Sequence, residues 1–197
     1  MQLFNGGGLS SSRYLPFIGS KLSQTTVEAN IRFIEKYMDI ELQRRVITDV
    51  EIDKKLIRNG DLLMSRRLDG FDASNMIMTG GHIAHAAVAL WEGTELWVVE
   101  SQAAWYFQTK INGVQKTKYD DWLDLAQDGD LEVVWLPLSD DLSTTFDSKK
   151  AWSFYAQNEH LPYGYRTAVF TVIDTVEGNY PEPVSSELIP FAIRYVQ

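Results

Sequence analysis

Three apolar stretches of strand length lie between residues 61 and 101, and turn residues separate them. The first follows Gly60, the second ends at Trp91, and the third begins after Thr94. Short apolar stretches bounded by turn residues are typical of β-strands. The break at Glu92-Gly93-Thr94 is short enough for a hairpin, so the second and third stretches are predicted to be neighbouring antiparallel strands.

Two further strands are predicted later in the chain. One is a short polar strand over residues 114–117, which follows Gly113. The other covers residues 131–138, where Pro137 must lie at the strand end or on a sheet edge because proline lacks an N–H donor.

Helical periodicity predicts helices on both sides of these strands. The capping-box spacing of residues 25–28 opens the first helix. Its apolar stripe recurs at helical intervals over about five turns and consists of Ile31, Ile34, Met38 and Leu42. Residues 119–126 predict a second helix with acidic residues in its first turn, where the helix dipole favours them. Asp147 is the predicted cap of a third helix that ends near Asn158.

Composition narrows the class of protein. The chain has 197 residues, 45% of them hydrophobic, which is enough for one domain with a sizeable core. We expect a flexible N-terminal arm over residues 1–24 and a single domain over residues 25–197. The net charge of −9 argues against binding to nucleic acid or to anionic membrane surfaces. No apolar run reaches the length of a membrane span, and no signal peptide is visible at the N-terminus.

Histidine and glutamate occur where two of the predicted strands begin and end. His82 and His85 lie at the start of the second strand, and Glu100 lies near the end of the third. Because side chains alternate between the faces of a strand, only one of the two histidines can face Glu100. An imidazole held by a carboxylate is one half of an acyl-transfer site. On neighbouring antiparallel strands Glu100 and one of these histidines can face each other, and a hydrogen bond between them, direct or through one water molecule, would form this half-site.

These motifs resemble the permuted NlpC-type papain-like proteins. The matching features are Gly60-Asp61 at the start of a strand, a His opening the next strand, and Val98-Val99-Glu100-Ser101 ending the third. The later Pro162-Tyr163-Gly164-Tyr165 and Ser185-Ser186-Glu187-Leu188 resemble the family's Pro-Tyr-Asp-Phe and Cys-Ser-Glu-Leu stretches. The resemblance implies an α+β fold in circularly permuted order, with helices packed on an antiparallel sheet of about five or six strands. It also implies amide or ester hydrolysis, or acyl transfer.

Carried over to this chain, the resemblance assigns three catalytic positions. His85 is the base, Glu100 orients it, and Ser185 occupies the position of the family's nucleophilic Cys. The chain contains no cysteine. A serine hydroxyl depends far more than a thiol on a base to remove its proton. Ser185 is therefore a natural or an engineered replacement in a hydrolase, or a relict of lost chemistry.

Two functions follow from this assignment. The first is an inactive or impaired papain-like homologue that uses its cleft as a binding module for a peptide, a lipid or a partner protein. The alternative is an active amidase or ester hydrolase with Ser185 at the nucleophile position, or a Cys-to-Ser variant of a cysteine hydrolase. Neither function calls for a cofactor or a metal, and EF-hand spacing is absent from the acidic loop at residues 67–81. The aromatic run Trp105-Tyr106-Phe107 is a candidate pocket wall, or alternates between core and surface.

Overall fold

The computed structural model describes residues 22–42, 52–69, 72–73, 75–76, 80–102 and 111–164. These residues form an α+β structure with an open five-stranded antiparallel sheet and four helices. In chain order the elements are α1 (Gln24–Met38), β1 (Leu62–Arg66), β2 (His85–Glu92), β3 (Glu95–Gln102), β4 (Gly113–Lys118), α2 (Tyr119–Asp128), β5 (Glu132–Leu136), α3 (Asp140–Thr145) and α4 (Ser148–Asn158). A short 3-10 turn over Lys54–Leu56 precedes β1. All five strands predicted from the sequence are present.

The strand order across the sheet is β4-β3-β2-β1-β5. Strands β2 and β3 form the predicted hairpin, with Glu92 paired to Glu95 across the two-residue turn Gly93-Thr94. Gly93 has φ of 62°, which matches the positive φ that a type II′ turn requires at its first central residue. The hairpin lies between β1 and β4, so its residues have neighbouring strands on both sides.

The main hydrophobic core lies between one face of the sheet and α2. Alternate residues of each strand point to this face, as the two-residue period of a strand requires. The buried members of this core are Ile57, Leu63, Ala87, Ala89, Leu96, Val98, Tyr119, Trp122 and Ala126. Helix α2 contributes the last three, which are spaced at helical intervals and so share one face of the helix. This packing brings α2 onto the same sheet face as Glu100.

A second core forms where α1 packs near the end of β1. It contains the predicted stripe together with residues of the connection that leads from β1 to β2, namely Ile31, Ile34, Met38, Leu42, Leu68, Ala73 and Met76. The stripe is confirmed, but the helix is shorter than predicted. It ends at Met38, and Asp39 adopts a left-handed conformation at its C-terminus. The predicted start is also wrong, because Ser23 caps the helix by accepting a hydrogen bond from the Thr26 amide.

Helix α4 lies near the opposite sheet face, where two of its aromatic side chains contact a lysine of β4. Its predicted cap is confirmed, since the Asp147 carboxylate accepts from the Lys150 amide at 3.0 Å. The Lys116 ammonium lies 4.4 Å from the ring centroid of Trp97, 4.9 Å from that of Trp152 and 5.8 Å from that of Tyr155. Cation–π attraction at these distances helps to hold α4 near β3 and β4.

The chain after α4 returns to the edge of β4. The Val114 amide donates to the Leu161 carbonyl, and the His160 amide donates to the Val114 carbonyl. Gly113 allows this approach, because a Cβ atom at that position would lie 1.8 Å from the Leu161 carbonyl oxygen. The edge of β4 is therefore partly covered by the segment that leads towards residue 165.

Candidate acyl-transfer site

The sheet places His85 and Glu100 on the face that packs against the main core. His85 is the first residue of β2 and is the Cα partner of Ser65 in β1. Val88 pairs with Val99, so continuing this register sets Glu100 opposite Ala87. His85 lies two residues before Ala87 and therefore points to the same face as Glu100.

The predicted contact between His85 and Glu100 is confirmed. His85 Nε2 lies 2.6 Å from Glu100 Oε2. The Glu100 side chain is fully buried, whereas the imidazole retains 14% of its surface exposed. The carboxylate is thus held inside the domain and the ring reaches its surface. His82, the other histidine considered at this strand end, is exposed and precedes β2.

The direction of the hydrogen bond defines which imidazole nitrogen is available. An ionised carboxylate has no proton to donate, so a neutral His85 must place its N–H on Nε2. The lone pair then lies on Nδ1, which makes no hydrogen bond in the part of the chain that the structure describes. A nitrogen in that state can accept a proton from a nucleophile, while Glu100 stabilises the imidazolium that forms.

Trp122 is a third member of the site that sequence reasoning missed. Its indole Nε1 donates to Glu100 Oε1 at 3.2 Å, and the Trp122 side chain is fully buried. Both carboxylate oxygens therefore accept a hydrogen bond, one from β2 and one from α2. The helix was predicted, but nothing in its sequence indicates that the indole reaches across to β3.

Buried polar side chains continue on both sides of the pair. Ser65, opposite His85, is fully buried, and within the described part of the chain its Oγ has no hydrogen-bond partner. Gln115 is the Cα partner of Glu100 on β4, and its Nε2 is likewise buried without a partner among the described residues. Unpaired buried donors are uncommon in folded proteins. This end of the sheet therefore carries unused hydrogen-bonding capacity beside the His–Glu pair.

The acidic side chains of the loop after β1 have a structural role, because they bind to neighbouring groups of the same loop. The Asp72 carboxylate accepts from the Arg67 amide at 2.5 Å, and the Asp69 carboxylate accepts from the Asp72 amide at 2.9 Å. The Arg67 guanidinium lies 3.9 Å from Asp69, and all three side chains are buried. Across the described ranges, no group of three or more histidines or acidic residues is arranged to hold a metal ion.

Several predicted features lie outside the described residues. Ser185 is one of them, so the structure brings together two of the three predicted catalytic residues and does not describe the third. The N-terminal residues 1–21 and the aromatic run at residues 105–107 are also outside those ranges.

Comparisons of the chain with family models, with curated proteins and with solved structures find no match. No helix among the described residues combines the length and the apolar character needed to cross a membrane. The resemblance to the papain-like proteins therefore rests on the sequence motifs alone.

Proposed function

We propose that this chain is a permuted NlpC-type papain-like homologue that keeps the base of an acyl-transfer site and has lost the thiol nucleophile. In this proposal it is catalytically impaired and acts as a binding module for a peptide, a lipid or a partner protein. The observation that carries the proposal is the 2.6 Å contact between His85 and the buried Glu100 in a chain without cysteine. A buried carboxylate that orients an imidazole is an arrangement that acyl-transfer sites use.

The loss of the thiol is the reason to expect impaired chemistry. A thiol is partly ionised near neutral pH and is intrinsically nucleophilic. A serine at position 185 would depend on His85 to remove its proton at the moment of attack. A site shaped for a thiolate does not need a base at the moment of attack, because the thiol is already partly ionised. Replacing sulfur by oxygen therefore lowers the reactivity of the site more than it lowers its affinity for a ligand.

The alternative is an active amidase or ester hydrolase, and one observation favours it. Nδ1 of His85 makes no hydrogen bond within the part of the chain that the structure describes, and the imidazole is partly exposed, so the base is available to a nucleophile. In this alternative the Ser185 hydroxyl gives its proton to Nδ1 as it attacks a carbonyl carbon. The imidazolium then returns the proton to the departing amine or alcohol, and water releases the acyl group by the same steps.

A serine-reactive phosphonyl probe distinguishes the two functions. We expect the probe to label the unsubstituted chain no more than it labels the His85→Ala variant. We expect Ser185→Cys to react with a thiol probe faster than a free thiol does, because a neighbouring imidazolium lowers the pKa of a thiol. That rate gain should disappear when His85→Ala is combined with Ser185→Cys.

Two controls locate any labelled hydroxyl. Ser185→Ala abolishes labelling if that serine is the nucleophile, and Ser65→Ala tests the buried hydroxyl opposite His85. Strong labelling that requires both His85 and Ser185 would refute the loss of catalysis and establish the alternative. A Ser185→Cys variant no more reactive than a free thiol would show that position 185 does not face His85.

Binding is tested separately from catalysis. Short amide-containing peptides and fatty-acyl ligands are titrated into isotopically labelled protein while the ring resonances of His85 are followed by NMR. A binding module should show saturable shifts at His85 with one of these ligand classes and unchanged shifts at the exposed His82. Shifts absent for every ligand class would count against a cleft at this position.

A further inference from the structure

Helix α2 contributes a hydrogen-bond donor to a site that otherwise belongs to the sheet. Trp122 Nε1 lies 3.2 Å from Glu100 Oε1, while His85 Nε2 lies 2.6 Å from Glu100 Oε2. The Trp122 and Glu100 side chains are both fully buried. Each carboxylate oxygen thus has its own donor, and the two donors come from different elements.

We propose that Trp122 is a positioning residue that fixes the Glu100 carboxylate and, through it, the tautomer of His85. A carboxylate held by one donor alone can rotate about its terminal bond, since that torsion is broad in glutamate. A second donor on the other oxygen restricts this rotation and keeps Oε2 directed at His85. The Nε2–H tautomer is then favoured, and Nδ1 keeps the lone pair that a base needs. This inference deepens the proposed function and rests on it.

The packing of α2 explains why Trp122 can serve in this way. The helix begins at Tyr119 directly after β4 ends, so little chain separates its first turn from the sheet. Tyr119, Trp122 and Ala126 form its buried face. The body of the indole lies in the main core and its N–H reaches the buried carboxylate, which leaves the donor shielded from water. Hydrogen bonds to a charged acceptor in such surroundings are stronger than those at the surface.

The tautomer of His85 is the readout that separates positioning from packing. Long-range proton–nitrogen NMR correlations of the full chain report the ratio of Nε2–H to Nδ1–H forms of each neutral histidine. We expect a higher ratio for His85 than for the exposed His82, which serves as an internal reference. In Trp122→Phe we expect the His85 ratio to fall about tenfold, since the lost hydrogen bond is to a charged group.

Trp135→Phe is the matched control. It also removes an indole N–H that donates to a buried carboxylate, in this case Asp61 at 2.9 Å, and that carboxylate is not part of the site. The unfolding midpoint of Trp135→Phe reports the general cost of losing an indole–carboxylate hydrogen bond. The His85 tautomer ratio should match that of the wild-type chain.

Glu100→Gln separates failure of this inference from failure of the proposed function. If Trp122→Phe keeps the wild-type ratio while Glu100→Gln lowers it, Trp122 only packs and the inference is overturned, whereas the His–Glu pair stands. If Glu100→Gln also keeps the wild-type ratio, the pair does not form in solution and the proposed function fails as well.

A second measurement applies if Trp122→Phe does not fold. In the wild-type chain the indole N–H resonance of Trp122, assigned through its own backbone signals, should lie downfield because it donates to a carboxylate. Glu100→Gln should move it upfield, because an amide oxygen is a weaker acceptor than a carboxylate. An indole resonance that does not move would overturn the inference without the tryptophan variant.

Discussion

Replacing Ile34 by Ala tests whether α1 belongs to the folded domain that carries the site. Ile34 is fully buried in the second core, beside residues of the connection between β1 and β2. Ala84, the residue before His85, packs against the same core. Loss of this packing should therefore weaken both α1 and the support of the strand end that carries His85.

The expected cost follows from the size of the change. Ile34→Ala removes three carbon atoms, and burial contributes about 0.8 kcal/mol for each, or about 2.4 kcal/mol. The cavity left behind adds to this, because the surrounding side chains relax only in part. We expect the free energy of unfolding to fall by about 2–4 kcal/mol.

Urea denaturation followed by circular dichroism measures this cost. Leu142→Ala is the control, since it removes the same number of carbon atoms from a side chain that is 58% exposed. The control should change the free energy of unfolding by no more than about 0.5 kcal/mol. An unchanged midpoint for Ile34→Ala would refute the reasoning and show that α1 is peripheral. A separate early transition would show that α1 unfolds independently of the sheet.

Two further predictions concern the β4 edge and α4. Gly113→Ala should lower the free energy of unfolding by about 1–3 kcal/mol or more. The new Cβ would meet the Leu161 backbone, and a φ of 148° is strained for a residue with a side chain. Gly93→Ala is the control for the backbone cost alone, because Gly93 has a φ of 62° and no atom lies within 4 Å of the Cβ position. An equal loss of unfolding free energy for both variants in urea titrations would contradict the predicted clash. Burial, followed by the hydrogen bond to Glu159, raises the pKa of Tyr155 above its usual value of 10.0. A raised pKa means that the folded state holds the tyrosine proton more tightly, so this stabilisation is complete below pH 10.0 and is lost at higher pH. Melting temperatures should therefore fall more steeply above that pH for the wild-type chain than for Tyr155→Phe, and parallel curves would disprove the assignment.

Much of the sheet could be predicted because its strands are short, are bounded by turn residues and, apart from β4, are apolar. The turn at Gly93-Thr94 fixes the pairing of β2 with β3, and the pairing determines which face Glu100 shares with His85. The contact in the site was therefore predictable from local sequence. The papain-like topology remains a proposal, since it is a property of the whole chain.

Features that depend on packing between distant elements could not be predicted in this way. Trp122 contacts Glu100 across 22 positions of the chain, and the helical pattern only marks the indole as apolar. The start of α1 was misplaced because Ser23 and the threonines after it all offer hydroxyl groups, and the path of the backbone selects among them. Helix α3 was missed because its six residues are too few to show a helical period.

The two-residue turn between β2 and β3 sets the register that brings His85 and Glu100 to one face. Counting outward from Gly93-Thr94 in each direction determines which side chains of β2 and β3 share a face. A single residue inserted in β2 between the turn and His85, or in β3 between the turn and Glu100, would move that side chain to the opposite face of the hairpin. Residues inserted between β1 and β2 would leave the pairing of His85 with Glu100 intact. Relatives that keep the pair should therefore vary in length before β2 and keep the lengths of β2 and β3.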